Sequence, residues 1–311
     1  MPASTITTAF TKQYSDNIYL LSQQRTTKFQ PCVRVESVTS AEEAYWDTLG
    51  TVSAQKKAIR HGASPNNEQT HGRRKATMDD YNTGSYIDDE DKLKMIIDPT
   101  NSFAMTQAAA LARCKDDAVI EAALGTALIG KTGSSSVAFK DDSISINGDG
   151  TVTSLGTLAA VATITDMTLD KMLLMLMLFN DQDVDPELEK FWAITPQDQR
   201  AMLNLAEVGS SDYNTVKSLA EGKVGTFAGF KFFTTTKLPK DAATGTGYRT
   251  FAWAKDGIIL GVGKEVNSQI APDPGQCFSV YVYSAMSIGA VRMEGAKVHE
   301  CLTKVAVAAI A

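Results

Sequence analysis

The sequence predicts an α+β fold organised around one long helix, and three observations lead there. Asp98–Leu128 is rich in alanine and leucine and contains no proline after Pro99. Elsewhere helical and strand patterns are interspersed without a βαβ rhythm, which points to antiparallel pairing. Asn147-Gly148-Asp149-Gly150, set between two β-patterned runs, is a strong hairpin signal.

In the long helix, Asp98 supplies an N-cap and Pro99 a residue pre-set for the first turn. Gly125 and Gly130 are the first residues able to stop it. At 1.5 Å per residue it would run on the order of 40–45 Å, wider than a small domain. Its apolar side chains point in nearly every direction, which predicts burial on most sides. Arg113, Lys115, Asp116, Asp117 and Glu121 interrupt it too often for a membrane span.

The remaining elements follow in order. Phe10–Gln24 places Tyr14, Ile18 and Leu21 on one helical face, and Pro31 ends it. Cys32–Val38 alternates as a strand, and a short helix followed by strand or coil is expected over Ala41–Ile59. Between Lys56 and Asp91 the composition shifts: Lys56, Lys57, Arg60, His61, Arg73, Arg74 and Lys75 surround turn-forming residues, with Glu68 as the lone acid among them. Arg74–Ile87 reads as a strand, followed at once by Asp88, Asp89, Glu90 and Asp91. Solvated loop charge is the simple reading. The sharper one is a basic hairpin loop that docks on an acidic surface of a neighbouring subunit.

Beyond the long helix, Val137–Ile146 and Thr151–Ala162 read as short strands. Asp166–Asn180 reads as a helix capped by Thr165 or Thr168, with Met172, Leu173, Leu176 and Phe179 as core. Phe191–Ile194 is a buried strand running into Thr195-Pro196-Gln197-Asp198, a helix start with cap, proline and N3 acid. That helix is expected to reach Ala206, and Ser210–Gly222 is polar and partly helical. Phe230–Thr236 is an aromatic strand set among glycines. Arg249–Ala254 and Ile258–Val262 read as a hairpin, Cys277–Tyr283 as an alternating strand and Ala290–Val298 as the closing strand.

With 311 residues, 43% hydrophobic and 21% charged, the chain can bury a sizeable core. A net charge of −6 gives no global case for nucleic-acid binding. Cys32, Cys114, Cys277 and Cys301 form no C-x-x-C pair and are read as buried free thiols of a reducing compartment. The N-terminus lacks the basic and apolar regions of a signal peptide, so the expectation is a soluble, intracellularly made protein.

Chemistry is sparse. Gly125-Thr-Ala-Leu-Ile-Gly130-Lys131-Thr132 matches the P-loop pattern literally, the basis for an alternative reading as a P-loop NTPase. A working P-loop follows a strand and opens a helix. Here the order is reversed, and the glycines read better as helix stops. A second alternative, a nucleic-acid-binding protein using the basic 56–75 loop, lacks aromatics between Arg60 and Lys75 on which bases would stack. His61, His71 and His299 have no partners in ligand spacing, and no nucleophile motif is present. Neither catalytic residue, cofactor nor metal is expected.

The order of parts, together with three stretches, carries a resemblance. The stretches are Arg60-His-Gly-Ala-Ser-Pro, Ile87-Asp-Asp-Glu-Asp-Lys-Leu-Lys-Met-Ile-Ile-Asp-Pro-Thr and Gln107-Ala-Ala-Ala-Leu-Ala-Arg-Cys-Lys-Asp-Asp. With the Gly229-Phe230 to Leu238-Pro239 strand, they resemble the major capsid proteins of tailed bacteriophages with the HK97-type fold. The resemblance covers almost the whole chain. It implies an N-terminal arm over 1–49, an extended E-loop over 50–91 and a P-domain over 92–164 whose spine helix is about 98–128. It further implies an A-domain over 165–249 and C-terminal strands over 250–311 returning to the P-domain.

The function so implied is self-assembly, as hexamers and pentamers, into an icosahedral virion shell enclosing double-stranded DNA by non-specific contact. Assembly in the host cytoplasm follows, with no membrane involved and room for separate scaffolding, portal and decoration proteins. The chain starts directly at the arm, so an assembly-directing N-terminal extension is not expected. Some relatives crosslink Lys to Asn; no partner Asn or catalytic Glu is evident here, and that activity is not carried over. Expected intersubunit contacts are Lys56, Lys57, Arg60, Arg73, Arg74, Lys75, Asp88, Asp89, Glu90 and Asp91.

Overall fold

The computed structural model describes residues 22–39, 41–57, 59–60, 66–88, 100–153, 164–205, 225–241, 245 and 247–304. The expected elements over 10–21, 154–163 and 210–222 lie outside the described residues. Among the described ones, three sheets form, and pairing is mainly antiparallel, as expected of α+β.

In chain order, β1 (Arg34–Ser37) pairs in parallel with a distant strand, β13. The region expected to begin as a helix at Ala41 is instead strand β2 (Glu43–Leu49), followed by β3 (His71–Thr77). Cross-strand pairing decides this: Ala44 faces Ala76, and Trp46 faces Arg74 while its ring N–H donates to Glu36. β4 (Asp79–Ile87) completes the strand expected over 74–87, which breaks at Met78.

The long helix α1 spans Thr100–Leu124 rather than reaching Leu128. Gly125 donates its N–H to the Glu121 carbonyl and ends the helix. Ala127–Ile129 then forms β5, which pairs with β3 on one side and with β6 (Ser135–Val137) on the other. The strand expected over 137–146 is interrupted by a helical turn, α2 (Phe139–Asp142). The Asn147–Gly150 turn does join a hairpin, β7 (Ser145–Ile146) with β8 (Val152–Thr153).

Helix α3 (Leu169–Asp181) is capped by Thr168, whose hydroxyl accepts from Lys171 N–H. Met172 and Phe179 are core as expected, but Leu173 is 49% exposed, and Met175 and Leu178 take the inward places. Strand β9 (Lys190–Ile194) is wholly buried. The Thr195–Asp198 capping box starts α4 (Pro196–Leu203), three residues shorter than expected. β10 (Thr226–Phe227) and β11 (Phe230–Thr234) follow.

β12 (Gly247–Ala254) and β13 (Ile258–Pro272) do not form the expected hairpin. β12 lies between β9 and β15 (Val298–Lys304), while β13 joins β1 and β14 (Val280–Arg292). Both strands are buried where they adjoin, and each satisfies its backbone groups with strands distant in sequence. The closing strand is accordingly β15; the expected Ala290–Val298 strand is the end of β14 plus a 3-10 turn at Gly295–Lys297.

The chain divides into two compact units. The described part of the smaller takes in 22–26, 81–88, 100–113 and 265–286. There Gln107, buried on α1, donates to the Val282 carbonyl at 3.1 Å and accepts from Ser284 Oγ at 3.0 Å. Tyr86 stacks on Tyr281 with ring centroids 4.4 Å apart. The larger unit holds the seven-stranded sheet β10-β11-β9-β12-β15-β7-β8. Its core packs Met172, Met175 and Phe179 of α3 against Trp192, Phe230 and Cys301.

The cysteines are free, but only Cys301 is buried and Cys277 is exposed, so the reading of four buried thiols is corrected. Burial pushes the thiol of Cys301 up to about 12 and that of half-buried Cys32 to about 11.

Candidate assembly surfaces

In strand register, Asp47 faces Arg73 and Tyr45 faces Lys75 across the β2–β3 hairpin. Side chains two apart on a strand share a face, and the two pairs form one ladder. Arg73 grips Asp47 through Nε and Nη2, Lys75 reaches Glu43, and both cations lie over the Tyr45 ring. These bonds hold the Asp47 and Glu43 carboxyls below their ordinary range. Arg74, one residue over, points to the opposite face. It donates from Nη2 to Asp142 at 2.8 Å and from Nε to the Met293 carbonyl at 3.1 Å.

Three of the expected intersubunit cations, Arg73, Arg74 and Lys75, therefore already have partners within the chain. Arg74 is nearly enclosed. Lys56, Lys57 and Arg60 differ: all are exposed, and among the described residues none makes an ion pair. Ile59, beside Arg60, is 71% exposed. On the acidic side, Asp88 accepts the Ser279 hydroxyl, while Asp89, Glu90 and Asp91 lie outside the described residues.

The end of α1 disposes of the phosphate-loop motif. A helix C-terminus presents unpaired carbonyls and the negative end of the macrodipole. Fully buried Arg292 donates from Nη1 to the carbonyls of Ala123 and Gly125, both at 2.9 Å, and from Nε to Asp142 at 2.9 Å. Arg249 adds a 3.5 Å contact to the Leu124 carbonyl while paired with Glu300. Gly130 turns the chain with φ of 94° after a strand, and strand β6 follows it. Order and polarity at the helix end are the reverse of those of a phosphate-binding loop.

The charges on α1 sort by depth. Buried Asp116 accepts the backbone N–H groups of Lys28 and Phe29, at 3.1 and 3.3 Å to Oδ1. Its carboxylate thereby fastens the incoming chain so that Phe29 fills an aromatic box. The Phe29 ring stacks on Trp253 and Phe251 at 5.6 and 5.9 Å and meets the Phe233 ring edge-on at 4.8 Å. Lys115 is buried, Asp117 pairs with Lys237 at 2.6 Å, and Glu121 is exposed. Arg113 donates to Gln23 Oε1 and to the Gln24 carbonyl.

On a further surface the sequence reading favours core over a methionine-lined groove. The outer side of α3 carries Leu173 and Met177, 49% and 51% exposed, beside a groove of about 590 Å³. Asp149 and Asp170 border it. Asp149, in the β7–β8 turn, accepts Thr151 N–H at 2.9 Å and Thr151 Oγ1 at 2.7 Å, bonds that keep its carboxyl below the ordinary range. The signal was present: an unbroken apolar run from Met172 to Phe179 covers both faces of a helix, and the core takes only one. His299, by contrast, is a core residue, edge-on to Phe179, and burial holds its imidazole down at about 4.

Among the described residues, no cluster of His, Cys, Asp or Glu could hold a metal ion, and no helix is long and apolar enough to cross a membrane.

Comparison with known proteins gives a consistent outcome. A family model described as phage capsid protein matches residues 6–305. No curated protein matches the sequence significantly. Among solved structures, the capsid of cyanophage P-SCSP1u is similar at a TM-score of 0.70 and 17% identity, covering 98% of this chain and 96% of that one. The capsid of Ralstonia phage GP4 is similar at a TM-score of 0.70 and 11% identity, with 97% of each chain covered. Mycobacterium phage Che8 gives a TM-score of 0.66 and 13% identity, covering 94% and 96%.

Proposed function

The chain belongs to the phage capsid protein family and is a major capsid protein of the HK97-type fold; from that premise we propose how its parts divide the work of building an icosahedral head. The single observation that carries the reading is the match of one capsid family model from residue 6 to residue 305.

In this reading, residues up to about 49 are an arm, 50–91 an E-loop, and α1 the spine of a P-domain over 92–164. Residues 165–249 form an A-domain around the capsomer axes, and 250–311 return to the P-domain. Copies associate as hexamers and pentamers in the host cytoplasm, and the closed shell holds double-stranded DNA without reading its sequence. Scaffolding, portal and decoration proteins are partners of the same assembly.

The basic loop supplies one intersubunit contact, and its exposed tip supports this. Lys56, Lys57, Ile59 and Arg60 are all exposed, and among the described residues the three cations make no ion pair. A loop so exposed gains its burial on a neighbour, where charge fixes register. Within the hairpin root, Arg73, Arg74 and Lys75 serve the fold of their own subunit.

Negative-stain electron microscopy and sedimentation of the purified protein test the reading. Capsomers, tubes or shells are expected. A chain that stays monomeric across concentration and salt overturns it.

A further inference from the structure

Among the described residues, grooves on the larger unit differ in charge. The one at the root of the β2–β3 hairpin mixes Arg73, Arg74 and Lys131 with the carboxylates Asp47 and Glu294. The one beside the last turns of α1 mixes Asp117 and Glu121 with Lys237 and Arg249. Among the described residues, the groove on α3 has carboxylates, Asp149 and Asp170, and no cation on its border, and its apolar side chains are Leu173, Leu174 and Met177.

Half-exposed leucine and methionine on a helix whose other face is sealed in the core form a surface that a partner covers. The exposed loop tip has the complementary character. Ile59 is the most exposed large apolar side chain among the described residues, at 71%, and it stands among Lys56, Lys57 and Arg60.

We propose that the α3 groove receives the loop tip of a second copy of this chain, Ile59 packing between Leu173 and Met177 while Lys56, Lys57 and Arg60 meet Asp149 and Asp170. The proposal rests on the reading of the chain as a shell subunit whose basic loop docks on a neighbour, and it names the acceptor. An apolar knob ringed by cations, set into an apolar groove ringed by carboxylates, gives both burial and register. One contact per subunit, repeated head to tail, closes a ring, the heterologous geometry of a capsomer.

The test pairs cysteines across the contact. Ile59→Cys and Leu173→Cys are introduced together in a Cys277→Ser background, and assembled particles are treated with a short bismaleimide. A ladder of covalent oligomers on a denaturing gel is expected from the double variant, with neither single variant giving more than a tenth of that yield. Intact particles without a ladder overturn the proposal while leaving the shell reading in place. Absence of particles from the unmodified protein overturns the shell reading itself.

Charge exchange gives a second arm. Lys57→Glu and Asp170→Lys each lower particle yield at least fivefold, and the two combined restore at least half of it. No restoration, with each variant monomer melting as the parent does, also overturns the proposal. So does a Leu173→Asp monomer that melts well below the parent, because the groove is then covered by its own chain.

Discussion

Arg292 caps Gly125: the buried guanidinium donates from Nη1 to the Gly125 carbonyl at 2.9 Å, just past the last turn of α1. The same nitrogen holds the Ala123 carbonyl, and Nε holds Asp142, which also takes Arg74. One side chain at the end of β14 therefore joins the helix terminus to the turn that follows β6. Burial works against its charge and draws its pKa down, while Asp142 pushes back.

Arg292→Met is expected to destabilise the subunit by about 2–5 kcal/mol, because the loss leaves two helix-end carbonyls without their donor, at about 1–3 kcal/mol for each group left dry, and takes from Asp142 one of its two cations while Arg74 remains. Urea unfolding of the unassembled subunit measures it. A loss under 1 kcal/mol would show that the carbonyls find water instead.

Arg74 and the loop tip separate folding from assembly. Arg74→Glu places a carboxylate beside Asp142 and should unfold or strongly destabilise the subunit. Lys56→Glu with Lys57→Glu should leave the melting temperature within 2 °C of the parent, a span that corresponds to about 1 kcal/mol in a chain of this size, while particle yield falls. Circular dichroism and electron microscopy read the two outcomes, and equal thermal loss in both variants contradicts the division.

Phe29→Ala removes a fully buried ring from the aromatic box and should cost about 3–5 kcal/mol. Asp116→Ala leaves the Lys28 and Phe29 amides without their acceptor, at about 1–3 kcal/mol for each group left dry. Both should speed tryptic cleavage at Arg25 and Lys28. Unchanged cleavage means that the arm root is held elsewhere.

Acid should weaken the subunit through His299. Its folded pKa of about 4 lies below the ordinary 6.5, so between those values the unfolded chain binds a proton that the folded chain refuses. The contribution is present above pH 6.5 and is lost as pH falls toward 4, roughly 3 kcal/mol in all. Unfolding free energies at pH 7 and pH 4.5, for the parent and His299→Gln, measure it. An equal acid loss in the variant assigns the effect to other groups.

Lys131→Ala should change neither stability nor assembly, and magnesium ATP should not raise the melting temperature of the parent. A shift of several degrees with ATP would reopen the phosphate question.

Much of this was legible in the chain. The Ala-rich stretch is a helix, Thr195–Asp198 a capping box and Asn147–Gly150 a hairpin turn, because each is decided by residues within a few positions of one another. The basic tip at Lys56, Lys57 and Arg60 was visible as composition.

Partner choice over long separations was not legible. Nothing near Arg74 in sequence says that it turns inward to Asp142, whereas Arg73 pairs on the other face with Asp47. Nothing near Ile258 says that β13 leaves β12 for β1. Nor does an apolar run through Met172–Phe179 say which face the core takes and which stays exposed. Local patterns set the elements, since a helix or turn satisfies its own backbone. The sheet order, the Arg292 cap and the exposed face of α3 were decided by the tertiary structure, because buried polar groups and apolar faces are satisfied by residues tens to more than a hundred positions away.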